Sequence, residues 1–148
     1  MAISASLRRL LRIRELEEEQ SRSALETALG ELNQVETALT AAEQREGFGR
    51  QLVGSSAQSS NLTDRIAGLE EMRAAGVLAN ALSVRLAAAE RHAAALRESF
   101  LSKRVQRRQA ESLVEESEAH AAVEEARRGQ QDMDDLHRSR SKNGSENG

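Results

Sequence analysis

The 148-residue chain carries 21 basic and 24 acidic side chains, a formal net charge of −3, and only two aromatic residues, Phe48 and Phe100. Its apolar fraction of 39% leans on 24 alanines, so few side chains could fill a wide interior, whereas alanine and leucine suit a narrow contact between two helices. The lack of cysteine excludes a disulfide framework and a thiolate metal site, and fits a reducing compartment. The near balance of charge implies no polyanion partner.

The chain has no proline and is rich in Ala, Leu, Glu, Gln and Arg, whose side chains lose little freedom in a helix. Long uninterrupted helices are therefore expected. The first should start near Ser4 or Ser6, either able to cap free backbone N–H groups, and run over about residues 5–46. Leu25, Ala28, Leu32, Val35, Leu39 and Ala42 recur at alternating three- and four-residue steps, the spacing of a coiled-coil seam. Upstream, Leu7, Leu10, Leu11, Ile13 and Leu16 are apolar, and Glu17 with Glu18 interrupts the phase. The Arg-rich opening has a transit-peptide look, but the acidic run Glu15, Glu17, Glu18 and Glu19 continues the same segment and argues against targeting.

Glycine and serine cluster between Gly47 and Ser60, which predicts a turn over about residues 47–61. Asn61 followed by Asp64 reads as a helix start, with an N-cap side chain and an acidic residue in the first turn. The second helix should cover about residues 62–138, loosely wound at first because Gly68 and Gly76 each cost about 1 kcal/mol relative to alanine. From Ala79 through Leu82, Leu86, Ala89, Ala93, Leu96 and Phe100 the seam is wholly apolar. Lys103 and Arg107 then occupy it, and the apolar stripe resumes out of phase through Ala119, Ala122, Ala126, Met133 and Leu136. Residues 139–148 are polar, glycine-containing and without a stripe, and predict a disordered tail.

A single amphipathic stripe must be buried against something, and a short polar loop lets the two helices lie antiparallel. The expected fold is all-α: one long antiparallel two-helix coiled-coil hairpin over residues 1–138, with the second helix the longer. The cationic start, Arg8, Arg9, Arg12 and Arg14, opposes the helix dipole, and the acidic stretch Glu124, Glu125, Asp132, Asp134 and Asp135 would offset it if the chain ends lie together. Both stretches read more simply as solvated faces.

Chemistry is missing from the pattern. There is no phosphate-cradling glycine loop, no HExxH and no cysteine nucleophile, and His92, His120 and His137 lack metal-ligand spacing. No enzyme activity, cofactor or metal is expected. Lys103, Arg104, Arg107 and Arg108 form a basic segment with no aromatic residue for base stacking, so nucleic-acid binding is not expected either.

The opening LRRLLRIRELEEEQ and the closing EEARRGQQDMDDLHRSR, with Met133, Asp134, Asp135 and Leu136, resemble the two ends of the FliJ family, the coiled-coil component of the flagellar type III export apparatus. The resemblance implies a monomeric stalk that binds the hexameric export ATPase, the membrane export gate and export chaperones from the cytoplasmic face of the inner membrane. It places an ATPase-facing tip at Leu10, Leu11 and Arg14 beside Met133 and Leu136. It places a gate-facing surface at Phe48, Leu52, Leu78 and Leu82, although Leu78 and Leu82 also fit the seam. Two other readings share much of the pattern: the corresponding stalk of a virulence secretion system, and a self-associating coiled-coil scaffold.

Overall fold

A computed structural model describes residues 5–146. They form two helices, α1 (Ala5–Ser59) and α2 (Leu62–Glu146), with only Ser60 and Asn61 between them. The all-α expectation holds, and α2, at 85 residues against 55, is the longer helix. The chain divides into two compact units, Gln20–Leu101 and Met1–Glu19 with Ser102–Gly148.

In the unit Gln20–Leu101, α1 and the first part of α2 run antiparallel. A step from Gly49 to Val53 along α1 is matched by a step from Met72 back to Gly68 on α2. The buried residues of α1, Ala28, Val35, Ala42, Gly49 and Ser56, recur every seventh position, the signature of a coiled-coil seam. Ala28, Val35 and Ala42 belong to the expected stripe, whose Leu25, Leu32 and Leu39 are partly buried, and Gly49 and Ser56 extend it past Ala42. Opposite them, Gly68, Ala75, Ala79, Leu82 and Ala93 are buried on α2, and Ala42, Ala79 and Leu82 close a small core against Leu39.

The turn predicted over residues 47–61 is therefore corrected to two residues, and α1 ends at Ser59 rather than near residue 46. The glycines there serve packing. A methyl group placed on Gly49 would stand 2.8 Å from Met72 Cγ and 2.9 Å from the Gly68 carbonyl oxygen, and one on Gly68 would meet Val53 and the Gly49 carbonyl equally closely. Two backbones approach here because neither carries a Cβ, and this contact offsets the low helix propensity of glycine. Likewise α2 is continuous through Gly68 and Gly76.

The junction follows local rules. Ser60 takes the left-handed conformation, φ 58°, and the Asn61 N–H donates to the Ser56 carbonyl at 3.3 Å, the pattern that terminates a helix in a Schellman cap. Asn61 then caps α2 as expected: its Oδ1 accepts from the Asp64 N–H at 3.3 Å, and its Nδ2 donates to Asp64 Oδ2 at 3.0 Å. At the other end of α1, the candidate cap Ser4 lies outside the described residues, and Ser6 is inside the helix.

In the second unit, Ala5–Glu19 lies antiparallel to the α2 segment that begins at Ser102, with Arg14 reaching Gln106 and Glu17 reaching Lys103. The covered positions of this part of α2 include Lys103, Arg107, Ala110, Val114, Ser117, Ala121 and Glu124, at alternating four- and three-residue steps, with Gln106 and Glu111 covered beside them. The predicted change of phase is thus absent. Val114 and Ala110 keep the register that Phe100 sets, while Ala119, Ala122 and Ala126 face solvent, where alanine is retained by helix propensity alone. From Glu125 to Glu146 every residue is exposed. Where the sequence predicts a disordered tail from residue 139, the backbone remains helical to Glu146. No side chain is covered along that segment, so backbone hydrogen bonds alone hold it, the regime in which helical and unfolded conformers differ little in free energy.

Candidate partner-binding surfaces

The residues expected at a tip do not meet. Leu10 and Leu11 are partly buried at the start of α1, and the Arg14 guanidinium bonds Glu17 Oε2 at 3.0 Å and Gln106 Oε1 at 3.1 Å. Met133 stands about 40 Å farther along α2 than Gln106, at about 1.5 Å rise per residue. The expected juxtaposition is corrected by this antiparallel register. Met133 and Leu136 remain, by themselves, a pair of exposed apolar side chains, 72% and 62% accessible, on a stretch of α2 that no other helix covers. Arg8, Arg9 and Arg12 make no ion pair among the described residues, which fits the solvated reading of the cationic start.

In the unit Gln20–Leu101 the candidate gate residues separate into two kinds. Leu82 is 6% exposed and belongs to the core with Ala42 and Ala79, so it is a packing residue and is withdrawn as a contact. Phe48 and Leu78 are exposed and Leu52 partly so. Phe48 and Leu52 are four residues apart and share a face of α1. Arg45 lies two turns before Leu52, and Glu71 two turns before Leu78. Their ion pair at 2.6 Å therefore marks the flank on which Leu52 and Leu78 both lie. The Glu71 carboxyl is held below its ordinary range by the Arg45 hydrogen bond, which raises the Arg45 guanidinium in turn.

The sequence reading missed the role of Glu17 and Glu18. It treated them as a break in phase, whereas both sit on the covered side of α1 and take up cations from α2. Lys103 Nζ lies 3.6 Å from Glu17 Oε2, and Arg107 Nε donates to Glu18 Oε2 at 2.7 Å while its Nη1 bonds Glu111. The Glu17 carboxyl is lowered, first by the Arg14 hydrogen bond and then by the charge of Lys103. Arg107 is raised, first by Glu18 and also by Glu111. Opposite charges at facing seam positions were the available signal. The basic segment is consequently divided: Lys103 and Arg107 are engaged by glutamates, and only Arg104 and Arg108 face solvent.

His92, His120 and His137 are exposed along α2, and among the described residues no helix is long and apolar enough to cross a membrane. The surfaces available to a partner are helix faces rather than an enclosed cleft.

A family profile described as Flagellar FliJ protein matches residues 3–146. Comparison with curated proteins finds no match, and comparison with solved structures finds none. Because the profile covers nearly the whole chain, both helices and both candidate surfaces included, this chain belongs to the flagellar FliJ family.

Proposed function

We propose that the protein is a non-enzymatic stalk of the flagellar type III export apparatus that binds the hexameric export ATPase and the export gate and assists export chaperones, working on the cytoplasmic face of the inner membrane. The observation that carries this reading is the family match over residues 3–146. The exposed ends and flanks give it a physical basis. A helical element with distinct apolar faces contacts the subunits of a ring unequally, and it biases their assembly or turnover through differential binding without chemistry of its own.

Within that reading the ATPase-facing surface is Met133 with Leu136, and Leu10, Leu11 and Arg14 form a separate contact at the start of α1. The gate-facing surface is Phe48, Leu52 and Leu78. Met133→Asp combined with Leu136→Asp tests the first assignment in a pull-down with the export ATPase. Loss of binding by a variant of unchanged helicity supports it, and full binding refutes it.

The virulence-system stalk shares this mechanism and differs in its partners, so exchange of the ATPase in the same pull-down separates the two. A self-associating scaffold would instead form dimers or fibres. The seam already filled within Gln20–Leu101 favours a monomer.

A further inference from the structure

What holds each unit together differs. In Gln20–Leu101 the buried side chains are Ala28, Val35, Ala42, Ala75, Ala79, Leu82 and Ala93, all apolar, and Ser56, whose hydroxyl donates to the Val53 carbonyl of its own helix, with Gly49 and Gly68 in direct backbone approach. Among the described residues of the other unit only Ala110 and Val114 are buried, both on α2, and no residue of Ala5–Glu19 is. The seam between Ala5–Glu19 and α2 carries charge over residues 14–18 and 103–107, and on its apolar part Leu7, Leu10 and Leu11 are only partly buried. Lys103 and Arg107 of α2 pair across it with Glu17 and Glu18 of α1, and Arg14 donates across it to Gln106, while the Arg14–Glu17 and Arg107–Glu111 pairs lie within their own helices.

Partly exposed ion pairs contribute little each and weaken with salt, whereas apolar burial does not. An amphipathic segment as short as Ala5–Glu19 also has little helical stability of its own once undocked. We propose that this charged seam is an electrostatic clasp, which lets Ala5–Glu19 separate from α2 as a unit while Gln20–Leu101 stays folded. Separation uncovers Leu7, Leu10, Leu11 and Val114 and releases Arg14 from Gln106. The start of α1 thus has a closed and an open state, and any ligand that pairs with these charges shifts the balance between them. This inference stands apart from the identity of the partners.

The test uses spin-labelled full-length protein, which has no native cysteine to interfere. One pair, Arg12→Cys with Gln109→Cys, reports on the clasp; a second, Thr27→Cys with Ala94→Cys, reports on the apolar unit. Distances are measured from about 0.1 M to about 1 M salt, over which the screening length falls from about 10 Å to about 3 Å. The separated population at the first pair should rise about tenfold and the second pair should not change. Glu17→Gln with Glu18→Gln should open the first pair already at low salt. Glu18→Leu with Arg107→Leu should hold it closed at every salt concentration, because an apolar pair at facing seam positions is indifferent to screening. A clasp distance that ignores salt and the glutamine changes overturns the proposal, and so does opening of both label pairs together.

Discussion

Ser60 is the one described non-glycine residue at positive φ, a conformation that costs a residue with a Cβ about 1–2 kcal/mol. Ser60→Gly should therefore raise the stability of the folded chain by up to about 1 kcal/mol, part of the gain being lost to the greater freedom of glycine in the unfolded state; urea denaturation measures it. The glycines inside α1 divide in the opposite sense. At Gly47 and Gly54 an added methyl meets nothing within 4 Å, so alanine there should stabilise by about 0.5–1 kcal/mol through helix propensity. At Gly49 the methyl meets backbone atoms of Gly68 and Met72, and overpacking of about 1–3 kcal/mol outweighs the propensity gain. The same substitution two residues apart should thus change sign. Glycine-rich composition alone reads as a turn in both places, since only the facing helix distinguishes a packing glycine from a tolerated one.

Titration also belongs to single residues. Glu17 and Glu71 have folded pKa values below the ordinary 4.5, through hydrogen bonds from Arg14 and Arg45. A depressed carboxylate stabilises the fold above its unfolded pKa, and that contribution disappears as pH falls through the folded value. Stability should therefore be flat from neutral pH down to about 5 and fall below 4.5. Glu17→Gln with Glu71→Gln should flatten the acid limb, as thermal melts from pH 7 to pH 3 would reveal.

At the scale of elements, the heptad spacing was legible wherever the seam is apolar, from Leu25 to Ala42 and from Ala79 to Phe100, because period alone identifies a covered stripe. It was illegible where the seam carries charge or no side chain. Glu17 and Glu18 looked like an interruption, Gly49 and Ser56 like a loop, and the exposed Ala119, Ala122 and Ala126 like a stripe in a new phase. All three misreadings share one cause: coverage is set by register against the opposite helix, and a glutamate facing an arginine occupies a seam position as well as a leucine does. The uncovered part of α2 beyond Glu124 has a measurable consequence. Its amides should exchange with solvent orders of magnitude faster than those of Ala75–Leu82, although both are helical, and hydrogen exchange read by peptide would show the contrast.

For the whole molecule, composition was informative about class. Few aromatics, no proline and many alanines pointed to paired helices, and the two chain ends carried the family resemblance that the match over residues 3–146 bears out. Binding surfaces were less legible. Leu82 and Leu78 lie one turn apart on α2, yet one is core and the other exposed, a distinction fixed by the neighbouring helix rather than by residue type. Likewise Leu10 and Met133 share apolar character but lie far apart, since the overlap of the helices, not the order of the chain ends, decides which residues are neighbours.

In the proposed function this chain acts on an export ATPase by binding it. The most direct test is to mix the purified protein with the export ATPase of the same organism and follow ATP hydrolysis together with hexamer formation by light scattering. Stimulation of both, reduced by Met133→Asp with Leu136→Asp, is the predicted result. A folded monomer that leaves hydrolysis and assembly unchanged would contradict the account.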